Sequence, residues 1–146
     1  MTPIIAGMLY VCGAVGLITV RAEQQDFCPV ALNVTTKALL GQRPPTGVWS
    51  VNFVRDYADD GYGNLMRGWT LPKQRRIYVV AAEPRTVFHE LHHARAVDAG
   101  GSWTCETSHC AASWTCQDWV DELNFTGQEP TWANGCNVPM QTTYGQ

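Results

Sequence analysis

Three segments of the chain have the pattern of hydrophobic and polar positions that is typical of β-strands. Residues 49–53 alternate between apolar and polar side chains, the period of two expected of a half-buried strand. Two further strands are predicted at 65–71, which Pro72 ends, and at 76–82, the most apolar of the three. Turn residues separate these segments, so the pattern predicts a meander of antiparallel strands.

Three other segments have helical periodicity. The first is a short amphipathic helix at 29–40. The strongest begins at Pro84, which suits the first position of a helix, with Thr86 as an alternative cap, and ends at the glycine pair that follows Ala99. A third helix is predicted at 113–124, where apolar residues form one stripe. At 146 residues the chain is long enough for one domain.

The first apolar segment, Ile4 to Val20, has no charged side chain and is slightly too short for a comfortable membrane span. Small or β-branched residues at Val20 and Ala22 predict signal-peptide cleavage after Ala22, with residues 1–22 as leader and 23–146 as the domain. The absence of Lys and Arg before the apolar segment leaves two alternatives open, an uncleaved anchor at residues 4–20 and a buried core helix. A secreted or periplasmic protein is predicted, or a membrane-anchored one with its domain outside the cytoplasm.

Charge and cysteine content narrow the class further. The net charge of −3 and the lack of a basic patch argue against nucleic acid as a partner. All cysteines except Cys12 follow the predicted leader, and in an exported chain they predict at least one disulfide. A structural zinc site formed by some of them with His109 is an alternative, which the lack of a C-x2-C pair disfavours. The candidates for the disulfide are Cys28, Cys105, Cys110, Cys116 and Cys136, and those for the zinc site are Cys105, Cys110 and Cys116.

The strongest chemical signal is the segment His89-Glu90-Leu91-His92-His93, which matches H-E-x-x-H. His89 and His93 are four residues apart, so on a helix their imidazoles lie on one face and can bind the same metal ion. Glu90 is rotated by about 100° from His89, so its carboxylate can accept a proton from a zinc-activated water without binding the metal. His92 points elsewhere and is interpreted as a surface or packing residue. The alternative is a histidine-rich exposed helix without a metal.

This motif, with the apolar strand before it, resembles the zincin metallopeptidases over residues 74–101. The resemblance implies an α+β fold in which a small sheet, here three-stranded and antiparallel, packs on the motif helix. It implies that Zn²⁺ is bound by His89 and His93, and that Glu90 is the general base in peptide-bond hydrolysis. It also implies that an edge strand of the sheet binds the backbone of the peptide or protein substrate.

The third zinc ligand is open at the level of sequence. Zincins of the metzincin type have a third histidine, but Ala96 and Ala99 occupy the glycine and histidine positions of that pattern here. Gluzincin-like members use a carboxylate from a second helix, which favours Glu122 or Asp118. These two are four residues apart, so one can bind zinc while the other orients a ligand histidine. The remaining candidates are Asp98, Glu106, His109 and Asp121.

Two other functions are compatible with the same residues. The first is a zinc-dependent amide hydrolase that does not act on proteins, for example one that acts on a cell wall. The second is a disulfide-stapled secreted binding module in which the motif has no catalytic role. Bound zinc separates the second alternative from the peptidase, and activity on unfolded protein separates the first.

Overall fold

The computed structural model describes residues 8–40, 44–59, 63, 65–98 and 125. These residues form a small α+β fold with a five-stranded mixed sheet, a two-stranded ribbon and two helices. The elements are β1 (Tyr10–Val15), β2 (Ile18–Ala22), α1 (Cys28–Leu39), β3 (Ser50–Phe53), β4 (Ala58–Asp59), β5 (Leu65–Met66), β6 (Gly68–Leu71), β7 (Arg76–Val79) and α2 (Pro84–Asp98).

The large sheet has the strand order β1-β2-β3-β7-β6. Strand β3 runs parallel to both β2 and β7, whereas β1 and β6 are antiparallel to their neighbours. The predicted three-stranded antiparallel sheet is therefore wrong. Strand β7, which belongs to the most apolar of the three predicted segments, lies between β3 and β6, and these neighbours satisfy its backbone hydrogen bonds on both sides. The predicted strand at 65–71 divides at Arg67, with β5 pairing with β4 in the separate ribbon.

Both helices cover the same face of the large sheet. Helix α1 contacts β1 and β2, α2 contacts β6 and β7, and the two helices contact each other. Alternate strand residues fill the space between the layers, and Val20, Val51 and Ile77 are fully buried there. On α2, Val87 and Leu91 lie one helical turn apart and are also fully buried. The helix begins at Pro84, as predicted.

Residues 10–22, part of the predicted leader, form the hairpin β1–β2. These residues are extended strands, so the alternative of a buried core helix is wrong for them, although Ala22 is fully buried. A disulfide joins Cys12 on β1 to Cys28 at the start of α1. Cleavage after Ala22 remains a prediction, and its product would lack two strands and one half of this disulfide.

Three other predictions concern a membrane span, the helix at 113–124 and the cysteines of the disulfide. Within the described ranges, no helix has both the length and the apolar composition needed to cross a membrane. The predicted helix at 113–124 and the cysteines at 105, 110, 116 and 136 lie outside the described residues. The disulfide involves Cys28 as predicted, but its partner is Cys12, which lies in the predicted leader.

The last described residue of α2, Asp98, contacts the segments that precede β3 and β7. Its Oδ2 accepts hydrogen bonds from the Gly47 amide at 2.8 Å and from Trp49 Nε1 at 3.0 Å. Its Oδ1 pairs with the guanidinium of Arg75, which also lies over the Trp49 ring. Burial favours a higher pKa for Asp98, but these hydrogen bonds and the Arg75 charge outweigh it and lower the pKa.

Candidate metal centre

Helix α2 brings His89, Glu90 and His93 together. One potential ligand atom from each of the three side chains lies within 4.8 Å of the other two. His89 and Glu90 are fully buried, and His93 is 2% exposed. The helix begins near the carboxyl end of β7, so the three residues occupy its second and third turns, against the sheet.

The two histidine rings have the relation that their four-residue spacing predicts. Their centroids are 5.0 Å apart and their planes are inclined by 78°. Nε2 of His89 lies 4.0 Å from Oε2 of Glu90, so the carboxylate is beside the histidine pair. The side chains thus converge on one small volume in the fold, as the sequence predicted.

The opposite side of the Glu90 carboxylate is held by strand β6. The hydroxyl of Thr70 donates a hydrogen bond to Oε1 of Glu90 at 2.8 Å, and both side chains are buried. Two residues earlier, Gly68 faces the same helix. A Cβ atom at Gly68 would lie 3.2 Å from Cγ of Glu90 and 3.0 Å from Cγ2 of Thr86, which is too close for unperturbed packing.

The donor set fits a zinc ion. Two imidazole nitrogens and a neighbouring carboxylate are ligand types that Zn²⁺ accepts, and a catalytic zinc site typically has three protein ligands with one position for water or substrate. His89 and His93 provide the two nitrogens, and Glu90 follows His89 directly on the helix. The described residues thus bring together two imidazoles that could bind zinc and a carboxylate next to them.

His92 has a different position from the other two histidines of the motif. It is fully buried, and its ring packs edge-on against Phe88 with the centroids 4.5 Å apart. Of the two interpretations of His92, surface or packing, the structure favours packing. The same Phe88 ring stacks on Phe125 with a centroid separation of 4.2 Å.

Most candidates for the third ligand lie outside the described residues. This holds for Glu122, Asp118, Glu106, His109 and Asp121. Asp98 is described, and its carboxylate binds the amide of Gly47, Trp49 and Arg75 at the end of α2. Those bonds tie both of its oxygens into a structural contact, which disfavours Asp98 as a ligand.

Sequence reasoning missed Thr70 and Gly68. Both residues lie within the strand predicted at 65–71, and their spacing of two puts them on one face of the observed strand β6. Their contact with Glu90 joins positions that are 20 residues apart, and its existence depends on β6 lying under α2. No local pattern reports which helix covers which strand, so the sequence carried no direct signal for the contact.

Comparisons with known proteins give no relative for this chain. No protein-family model, no curated protein and no solved structure matches it. The functional interpretation therefore depends on the geometry of the site and on the sequence motif.

Proposed function

We propose that this protein is an exported zinc-dependent peptidase of the zincin type. The observation that carries the proposal is that the buried side chains of His89, Glu90 and His93 bring their potential ligand atoms within 4.8 Å of one another. Two histidines and a glutamate in the spacing of a metallopeptidase motif, on a helix packed against a sheet, support zinc-dependent hydrolysis better than a chance cluster of histidines.

In this proposal His89 and His93 hold the metal, and either Glu122 or Asp118 completes the ligand set. Phe125 supports this choice because it stacks on Phe88, the residue before His89. Glu122 is only three residues from Phe125 along the chain, which is at most about 11 Å of extended backbone. Of the two candidates, Glu122 is the nearer to this contact along the chain, since Asp118 is seven residues from Phe125.

Each side chain has a separate role in the proposed reaction. When bound, zinc polarises the scissile carbonyl and makes a water molecule acidic near neutral pH. Glu90 accepts the proton of the attacking water, and Oε2 is the oxygen suited to this because it is on the His89 side. Glu90 then delivers the proton to the leaving amine. The substrate backbone pairs along β6, the edge strand of the sheet that contacts Glu90 through Thr70.

The proposed location outside the cytoplasm has separate support. The Cys12–Cys28 disulfide is a bond that persists in oxidising compartments and is rare in the cytosol. We propose a secreted or periplasmic protein; the alternative of an anchor at residues 4–20 is disfavoured, because residues 10–15 and 18–22 are paired strands of the sheet.

The test combines zinc content with hydrolysis of an unfolded protein substrate. His89→Ala should abolish stoichiometric zinc and activity, because two imidazoles are needed to hold the ion. Glu90→Gln should keep zinc and the fold, while activity falls by about 10²- to 10⁴-fold. His92→Gln is the matched control, since it removes a histidine of the same motif that packs on Phe88.

Three results would contradict the proposal in different ways. Purified protein without stoichiometric zinc would favour the disulfide-stapled binding module. Zinc with no activity on unfolded protein would favour an amide hydrolase with another substrate. Full activity in Glu90→Gln would exclude Glu90 as the general base.

A further inference from the structure

We infer that Thr70 is a positioning residue that fixes the orientation of the Glu90 carboxylate. The inference rests on the proposed function, since it concerns the group proposed as general base. It assigns a role to a residue outside the H-E-x-x-H motif, on a different element of the fold. The role is to hold one carboxylate oxygen of Glu90 so that the other faces the histidine pair.

The hydrogen-bond geometry supports this role. The Thr70 hydroxyl lies 2.8 Å from Oε1 of Glu90 and 3.4 Å from the backbone oxygen of the same residue. A hydroxyl has one hydrogen to donate, and the shorter contact is the better hydrogen bond. Oε2 is then on the side of His89, 4.0 Å from its Nε2. A single bond from β6 thus distinguishes the two oxygens of the carboxylate.

Strand β6 restricts Glu90 at a second point. Gly68 has no side chain, and Cγ of Glu90 occupies the space beside it, 3.2 Å from where a Cβ would be. Gly68 and Thr70 pair with Val79 and Ile77 of β7, so both project to the α2 side of the sheet. Gly68 thus leaves space for Cγ of Glu90, and Thr70 forms a hydrogen bond with its carboxylate.

The orientation of the Glu90 carboxylate affects catalysis, because a general base must lie within hydrogen-bond reach of the proton it accepts. The carboxylate of a glutamate rotates broadly about its last torsion when nothing holds it. Without the Thr70 hydroxyl, Glu90 would spend more time in orientations that do not face the histidine pair. The turnover number should therefore fall, while zinc binding through His89 and His93 should be unchanged.

The first arm of the test compares Thr70→Val with Thr70→Ser in the zinc-loaded protein. Valine keeps the shape and suits a strand, but removes the hydroxyl. We expect Thr70→Val to lower kcat by about 10- to 100-fold, with KM and zinc content unchanged. Thr70→Ser should recover most of the loss. Thr35→Val is the matched control, because it removes a fully buried hydroxyl from a different helix, α1.

The second arm does not depend on activity. Urea unfolding of the metal-free protein is measured for Thr70→Val, Glu90→Ala and the double variant. If the hydroxyl holds Glu90, Thr70→Val should lower the urea midpoint in the wild-type background and have little effect in the Glu90→Ala background. Additive midpoint shifts would overturn the inference, as would a wild-type kcat in Thr70→Val. A wild-type protein without peptidase activity would count against the proposed function alone, and the urea measurements would still decide the role of Thr70.

Discussion

Asp98→Asn is expected to destabilise the fold in a way that depends on pH. Asp98 accepts hydrogen bonds from the Gly47 amide and the Trp49 indole and pairs with Arg75. Asparagine keeps one acceptor oxygen but loses the charge, and its amide group opposes one of these donors. The substitution should therefore weaken the interactions that join the end of α2 to the segments before β3 and β7.

The magnitude follows from the burial of the partners. The side chain of Asp98 is 6% exposed, so its hydrogen bonds to Gly47 and Trp49 are charge-assisted and shielded, which corresponds to about 1.5–3 kcal/mol. The Arg75 side chain is 46% exposed, so the ion pair adds less than about 1 kcal/mol. Because asparagine retains some hydrogen bonding, we expect a loss of about 2 kcal/mol in the free energy of unfolding at pH 7.

The pH dependence gives the prediction its sharpest test. The pKa of Asp98 is lowered from its ordinary value of 3.8, so the carboxylate stabilises the fold above that value. This stabilisation is lost as the pH falls through the lowered pKa. Urea unfolding of wild type and variant should therefore differ most near neutral pH and converge in acid. An equal difference at pH 7 and at about pH 2 would refute the reasoning. Glu83→Gln is the control, since its exposed ion pairs should contribute less than about 1 kcal/mol.

Two further predictions concern the site and the disulfide. Gly68→Ala should cost about 1–3 kcal/mol in urea unfolding and lower kcat, because its Cβ would meet three atoms at 3.0 to 3.3 Å, one of them in Glu90. Replacing both Cys12 and Cys28 with Ser should cost about 3 kcal/mol, the value for a loop of this length. Peptide mapping without reduction should find these two cysteines linked, and a mature chain that begins at Glu23 would contradict this.

Local patterns predicted local features of this fold well. The alternation at residues 49–53 predicted the strand at Ser50–Phe53, and Pro84 predicted the start of α2. The four-residue spacing of His89 and His93 predicted that their rings would lie close together. These features depend on residues within one or two turns or strand positions of one another, and such distances are what hydrophobic periodicity and motif spacing report.

The features that the sequence did not predict depend on pairing between distant segments. Strand β7 pairs with β3 and β6 at once, and periodicity shows only that a strand is buried, not which strands are its neighbours. The segment Ile18–Ala22 alternates between buried and partly exposed residues, but a continuous apolar run around it concealed this period. For the same reason the partner of Cys28 was missed, because Cys12 belonged to that run.

The register between β6 and β7 has a consequence for insertions and deletions. The hairpin turn at 72–75 contains Arg75, which has a positive φ of 52° and leads directly into β7. Successive residues of a strand face opposite sides of the sheet, so a change of one residue in this turn, if it slips β6 by one position, would turn Thr70 away from α2 and bring Trp69 or Leu71 into its place. A hydrophobic side chain would then meet the Glu90 carboxylate. The length of a surface turn is therefore under the same constraint as the site itself, and natural length variation should be found in other loops.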